Sequence, residues 1–333
     1  MQEINLNGKN EELKRYIDSF PEARVLVIGD IILDEYIWGD VSRISPEAPV
    51  PVVEIRQETK RLGGAANVVN NIVSLNGQTD LCGVVGDDAY GREIIENIKC
   101  LGLKTDGIIT DPMRCTSVKT RVLGHTQQMV RIDREIKRAI DNDITQKILG
   151  FLEDRIDETD AIIIADYGKG VITSSLMKGV RDLTAKTDII IGVDPKPKNF
   201  DYYNGIDVIT PNHHEAGAFC RFEIHDEETL IRAGRHMLDE LNCRSVLITQ
   251  GKDGMTLFEK DNPPCHIPTV ARKVFDVSGA GDTVIAAFCL GLAAGMDFIS
   301  AAIISNFAAG IVVGEVGTSV VTVDELKKAV DNR

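Results

Sequence analysis

The segment Asp276-Val-Ser-Gly-Ala-Gly-Asp282 joins small residues to a carboxylate and runs straight into an apolar stretch, Thr283 to Ala294, that reads as a helix. Gly279, Ala280 and Gly281 carry almost no side chain, so a ligand can approach their backbone closely. The first N–H groups of a helix have no intrahelical partner, and the helix dipole adds positive potential there. An anion suits such a place. Asp282 is out of keeping with simple phosphate binding. It suits a site where a carboxylate takes a proton from a hydroxyl that then attacks a bound phosphoryl group. Asp is also a favoured N-cap, and the segment alone leaves catalysis and capping about even.

Other constellations carry similar ambiguity. Gly29-Asp30-Ile-Ile-Leu-Asp34 sets two carboxylates after an apolar run, where they could receive ligand hydroxyls or lie solvated in a loop. In Arg61-Leu-Gly63-Gly64-Ala-Ala-Asn67 the glycines permit close approach and Asn67 can present an amide. Ligand and tight packing are not separable there. Asp194-Pro195-Lys196 follows an apolar run, and Asn212 and Glu215 follow another. The Asn-x-x-Glu spacing puts both side chains on one face of a helical turn. Their oxygens suit hydrated Mg²⁺, or a helix cap. Thr249-x-Gly251-x-x-Gly254 suits a turn against a nucleotide or a plain hairpin.

Lys119, Arg121, Arg131 and Arg134 concentrate positive charge in a chain of net charge -14. Alternate strand residues share a face, so Lys119 and Arg121 could hold a phosphate already on a substrate; a solvated face is the alternative. A Walker phosphate loop, a dinucleotide fingerprint and a serine-hydrolase elbow are all missing. The His213-His214 pair has no convincing metal-ligand set around it and reads as structural or exposed.

The elements that must position these residues alternate. Short apolar runs at 25–29, 79–85, 161–165, 189–193, 208–210 and 246–249 read as buried strands. Amphipathic stretches at 65–75, 90–101, 144–156, 174–183 and 227–241 read as helices between them. That pattern predicts an α/β fold with a parallel sheet covered on both faces. Ligands in such sheets bind beyond the carboxyl ends of the strands. Residues 31–60 and 115–133 break the alternation and predict a small separate sheet, a lid or a dimer contact. Residues 1–22 read as a polar helix or extension before a single domain over 23–333. Thr322-Val-Asp-Glu325 has capping-box spacing for a terminal helix.

Composition excludes several classes. The acidic balance argues against sequence-independent nucleic-acid binding. No run is long enough to span a bilayer, and no basic-then-apolar signal opens the chain. Seven scattered cysteines without CxxC read as reduced thiols. Cytoplasm is the expected compartment.

Gly63-Gly64-Ala65-Ala66-Asn67 and Asp276-Val-Ser-Gly-Ala-Gly-Asp282, with Asn212-x-x-Glu215 between them, resemble the ribokinase, or PfkB-type, carbohydrate kinases over nearly the whole chain. The resemblance implies a three-layer α/β/α domain with a mainly parallel sheet, plus a small β lid that often mediates dimers. Ser42 to Glu54, Gln127 to Asp133 and Gly310 to Thr318 look most like the branch that phosphorylates D-glycero-β-D-manno-heptose 7-phosphate. That branch implies ATP, Mg²⁺ and a role in ADP-heptose and lipopolysaccharide inner-core synthesis.

The resemblance implies roles for individual residues. Asp282 corresponds to the general base, with Gly279, Ala280 and Gly281 as the anion hole. Asp30, Gly63, Gly64 and Asn67 match sugar-contacting positions, with Asp34 beside them. Lys119 and Arg121 are expected at the distal phosphate, and Arg131 among the substrate-binding residues. Lys196, Asn212 and Glu215 are expected at the nucleotide phosphates and magnesium. Thr249, Gly251, Gly254 and Asn306 fall where relatives hold the nucleotide. Asp276, Ser278, Val312 and Gly317 fall where many bind a monovalent cation such as K⁺; Ser278 stands where the family usually has Thr. No HxGH motif occurs, so the resemblance implies a monofunctional kinase with a separate downstream nucleotidyltransferase. Rival readings are a PfkB-type kinase for another sugar phosphate or a nucleoside, and a non-catalytic sugar-binding relative.

Overall fold

Val25 and Val27 belong to one hydrophobic cluster, and Leu26 and Ile28 to a second on the opposite side of the sheet. Period-2 alternation with both faces apolar makes this strand central to a covered sheet. The computed structural model describes residues 2–3, 10–125, 127–271, 277–315, 317 and 319–332. Its main sheet joins β1 (Gln2–Glu3), β2 (Arg24–Ile44), β4 (Gln78–Gly86), β5 (Ile108–Asp111), β8 (Ala161–Ala165), β9 (Ile190–Asp194), β10 (Val208–Ile209), β11 (Ser245–Thr249), β12 (Met255–Glu259) and β13 (Cys265–Ile267). The order is β1-β13-β12-β11-β10-β9-β8-β2-β4-β5. Pairing is parallel except at β12, which is antiparallel to both neighbours.

Helices cover both faces. On the Val25 side lie α1 (Asn10–Asp18), α2 (Ala65–Ser74), α3 (Ala89–Cys100), α8 (Ala280–Ala293), α9 (Phe298–Val312) and α10 (Val323–Asp331). On the Leu26 side lie α4 (Asn142–Glu153), α5 (Ser174–Thr184), α6 (His213–Cys220) and α7 (Glu227–Leu241). The capping box at Thr322 and Glu325 is present. The polar helix α1 buries Leu13 and Ile17 in the first cluster, and its Lys14 and Asp18 pair with Asp331 and Lys327 of α10. Neither α8 nor α9 is amphipathic; each is apolar on nearly all sides because it is sandwiched inside the protein.

The lid is four strands in the order β3 (Pro51–Gly64), β2, β6 (Ser117–Gly124), β7 (Gln127–Arg134). It is continuous with the main sheet rather than separate from it. Through Asp30, β2 pairs with β4; from Ile31 onward it pairs with β3 and β6. Gly29 reads as a boundary in the sequence, but a Cβ there would stand 2.2 Å from Ala165 O. Close strand approach, not a turn, requires that glycine.

Register fixes what each lid face carries. Asp34 lies opposite Lys119, and Tyr36 opposite Arg121; across the next ladder Lys119 meets Asp133 and Arg121 meets Arg131. These polar residues share one face. Val130 and Ile132 stand on the other, 49% and 56% exposed.

Candidate active site

Asp282 sits in the first turn of α8, which follows the left-handed N-cap Gly279 (φ 80°). Thr283 N–H donates to Gly279 O at 3.1 Å, so the groups before it belong to the helix start. Ala280 N–H is used by Val277 O at 3.2 Å. Among the described residues a Cβ on Gly281 would meet nothing within 4 Å. Asp282 does not cap the helix through its side chain. One carboxylate oxygen accepts from Asn67 Nδ2 at 2.6 Å, and the other accepts from the Tyr167 hydroxyl. Burial pushes the Asp282 carboxyl up to about 6, against the lowering effect of those two donors. A carboxylate poised there is suited to exchange a proton near neutral pH. Asn67 Oδ1 is buried and has no hydrogen-bond partner among the described residues.

The structure separates the two early aspartates. Asp30 accepts from the backbone N–H groups of Tyr167, Lys169 and Val171 at 2.9, 2.9 and 3.1 Å. Its oxygens hold the loop after β8. Asp34 faces the lid interior, where Arg121 donates to Oδ1 at 2.5 Å. Its Oδ2 would lie 2.2 Å from a Cβ on Gly63, and Gly64 has φ +58° with Asp30 O 2.4 Å from its Cβ position. The diglycine is therefore demanded by packing against both aspartate segments.

Lys119 is half-buried and carries its ammonium 5.7 Å from the centre of the Tyr167 ring. Among the described residues it has no ion-pair partner. Burial holds it below its ordinary range; Asp34 opposes this, and Lys169, Arg121 and Arg131 add to it. Four cations thus bear on one region beside Asp282. Arg121 also lies over the Tyr36 ring at 5.2 Å, and Arg131 makes a two-pronged pair with Asp133 at 2.8 and 3.0 Å. Lys169 pairs with Glu135, both nearly buried. Arg134 lies over Tyr90 instead.

Beyond the ends of β9 and β10, Lys196 Nζ donates to Glu215 Oε1 at 2.9 Å. Glu215 Oε2 accepts from Asn212 N at 3.1 Å, and Asn212 Oδ1 caps α6 through His214 N and Glu215 N at 3.0 and 2.9 Å. Asp194 is pushed well above the ordinary carboxylate range by burial, then by Asp282 and Glu215. Thr249 ends β11 and bridges to Asn212, tying that strand to the cap of α6. Gly251 (φ +61°) and Gly254 (φ +90°) make the turn into β12. Asn306 is buried in α9 and donates to Pro268 O at 2.9 Å.

Of the expected cation ligands, Asp276 lies outside the described residues, as does Thr318 of the C-terminal signature. Val312 ends α9, and Gly317 (φ +78°) packs under Tyr36 and Arg61 at the base of the lid. The His213 and His214 rings lie 3.9 Å apart, tilted by 41°, and line a surface cavity of about 610 Å³ with Arg221, Phe222 and Glu223. Among the described residues no cluster of His, Cys, Asp and Glu forms a metal-binding group. The seven cysteines are free thiols.

Sequence reasoning passed over Asp166-Tyr-Gly-Lys-Gly170, which supplies Tyr167 and Lys169. Asp166 itself accepts from Asn199 Nδ2 at 2.6 Å and from Gly168 N at 2.7 Å. The usable signal was its place directly after strand β8, where motifs deserve reading.

A family model described as pfkB family carbohydrate kinase matches residues 22–325. The chain belongs to that family. It is a sugar kinase. The chain is 46% identical over 311 residues to a protein named bifunctional protein HldE from Desulfatibacillum aliphaticivorans, covering 93% of this chain and 64% of the relative. A relative of the same name from Helicobacter pylori is 40% identical over 303 residues, covering 91% and 65%. The chain thus spans just under two thirds of the length of these relatives. Among solved structures, Arabidopsis thaliana ribokinase complexed with ribose and ATP matches with TM-score 0.72 and 20% identity, covering 93% and 98%. Phosphofructokinase-2 from Escherichia coli in complex with potassium matches with TM-score 0.76 and 18% identity, covering 93% and 99%. These two establish the ribokinase-like fold. Among the described residues no helix is long and apolar enough to cross a membrane.

Proposed function

We propose that this kinase phosphorylates D-glycero-β-D-manno-heptose 7-phosphate at the anomeric hydroxyl, with ATP as donor, giving the 1,7-bisphosphate. The observation that carries this reading is the basic cluster of Lys119, Arg121 and Arg131 on the lid and Lys169 from the loop after β8, with Lys119 across the Tyr167 ring from the Asp282 carboxylate. A substrate with an acceptor hydroxyl at one end and a phosphate at the other fits between them. The lid signature at 42–54 supports the heptose branch.

In the reaction the sugar hydroxyl donates its proton to Asp282 as its oxygen attacks the γ-phosphorus, and the nucleoside diphosphate leaves. The acceptor on Asn67, Oδ1, receives a neighbouring sugar hydroxyl. Asp34 receives another while Arg121 holds it in place. The backbone at Gly279 and Gly281 meets charge that grows on the transferring group.

The donor set at α6 fits Mg²⁺. Glu215 is occupied by Lys196 and its own helix cap, so its remaining lone pairs suit a water-mediated contact. Carboxylate repulsion that pushes Asp194 up is relieved by a cation nearby. Glu215 and Asn212 would hold such an ion through water, where it would supply charge neutralisation to the nucleotide phosphates. Thr249, Gly251, Gly254 and Asn306 would border the nucleotide, and Ser278, Val312 and Gly317 would contribute to holding a K⁺ ion. The bisphosphate is the product from which ADP-heptose synthesis proceeds by a later nucleotidyl transfer.

Turnover of a panel tests the reading: heptose 7-phosphate, fructose 6-phosphate, ribose and a nucleoside, with product analysis. Heptose 7-phosphate is expected to give the highest kcat/KM and a 1-phosphorylated product. A preferred substrate without a distal phosphate sinks the reading.

The outer lid face completes the proposal. Ile55 of edge strand β3, Val130 and Ile132 of edge strand β7, and Ile44 and Val50 at the β2–β3 tip are each about half exposed or more. Two lids packed across a two-fold axis bury this apolar surface. Light scattering at micromolar concentration is expected to give twice the chain mass. Val130→Lys with Ile132→Lys is expected to shift the protein toward monomer. A wild-type monomer at every concentration, fully active, removes the dimer from the account.

A further inference from the structure

Tyr167 is the least expected part of the site. Its backbone N–H is held by Asp30, its ring lies under the Lys119 ammonium, and its hydroxyl donates to Asp282. One residue therefore touches the loop anchor, the phosphate-facing cation and the base. The geometry points to Tyr167 as the positioning residue of the catalytic carboxylate: with Asn67 it clamps Asp282 from the second side and fixes which oxygen faces the sugar. This rests on the reading of Asp282 as the base.

Two donors on one carboxylate leave it little rotational freedom. They also weaken it as a base, because each stabilises the charged form. Burial keeps the Tyr167 phenol well above its ordinary value, so it remains a donor across the working pH range. The charged groups bearing on the pair are Asp34 from β2, Lys119 from β6 and Asp194 from β9. Asp34 raises Asp282 and Lys119 lowers it. Asp34 and Asp194 both raise Tyr167. None of them touches the carboxylate through a hydrogen bond, so Tyr167 and Asn67 set its orientation. During transfer the proton moves from the sugar oxygen to Asp282, and Tyr167 keeps its own proton.

Tyr167→Phe retains the ring under Lys119 and removes only the donated bond. Loss of a donor to the charged form raises the Asp282 pKa, so the acid limb of kcat/KM moves up by roughly half to one pH unit. Loss of the clamp lowers plateau kcat by about 10–150-fold, in line with one hydrogen bond to a charged group. The KM for sugar phosphate stays within a few-fold. Titration of the substrate phosphate is common to both enzymes, so the difference between their profiles isolates the protein. If the variant does not fold, 3-fluorotyrosine incorporated throughout wild type supplies the second measurement. A more acidic phenol donates more strongly, and the acid limb is expected to move down. An unshifted limb with an unchanged plateau in Tyr167→Phe, or no downward shift in the fluorinated enzyme, overturns the inference. Asp282→Asn separates the two levels. If that variant is inactive while Tyr167→Phe matches wild type, only the role of Tyr167 falls; if it is active, the base assignment falls.

Discussion

Asp282→Asn is expected to bind sugar phosphate as wild type does and to lose about 10²–10⁴-fold in kcat, the range typical of general-base removal. The amide keeps the shape of the carboxylate and can still accept from Asn67 or Tyr167. It cannot take the proton of an attacking hydroxyl. The same residue sets the pH dependence of the parent enzyme. Its pKa is raised to about 6 in the folded protein, so the base is ionised above that value and protonated below it. Activity should fall about tenfold per pH unit below the limb, and the limb should vanish in the residual rate of Asp282→Asn. Single-turnover rates and equilibrium binding check both statements. Turnover within a few-fold of wild type would remove Asp282 from the role of base.

Lys119→Ala combined with Arg121→Ala is expected to cost about 1.5–3 kcal/mol for each charge-assisted bond to the distal phosphate. The sum corresponds to roughly 10²–10⁴-fold in kcat/KM for the phosphorylated sugar. Arg121 also pairs with Asp34, so its removal leaves a nearly buried carboxylate without that guanidinium. Binding of the sugar ring will suffer as well. The discriminating quantity is therefore the preference for phosphorylated over unphosphorylated sugar, which should collapse, while the KM for ATP holds. A preference that survives the double change means the phosphate lies elsewhere.

Much of the architecture was legible because its cause is periodic. The strand at 25–29 and the helix at 227–241 follow from apolar spacing, and Thr322 with Glu325 marks a helix start by local hydrogen bonding alone. Helix α9 carries no such period: it is apolar on all sides, and its pattern is indistinguishable from a long buried run. Local motifs also exposed the helix start at Gly279 to Asp282. What the sequence hid was pairing over distance. Asp30 and Asp34 look equivalent on paper, yet Asp30 meets backbone groups 137 to 141 positions away while Asp34 meets Arg121. Tyr167 reaches Asp282 across 115 positions, and nothing in its own neighbourhood announces a partner.

The unbroken run of β2 from Arg24 to Ile44 bears on how the two sheets can move. An independently swinging flap needs a joint where main-chain hydrogen bonding lapses. Here the ladder passes from β4 to β3 and β6 between Asp30 and Ile32 without a gap. The first irregularities in the β2–β3 ladder come farther out, at Trp38/Gly39 and Val41/Arg43. The inner part of the lid, with Asp34 and Lys119, is thus stiff and shares its mechanics with the core. Compliance is concentrated toward the tip, as in a cantilever clamped at one end. Under the proposed reaction, closure over a substrate is expected as bending and twisting distal to Gly39, with the polar face near Asp282 held in register.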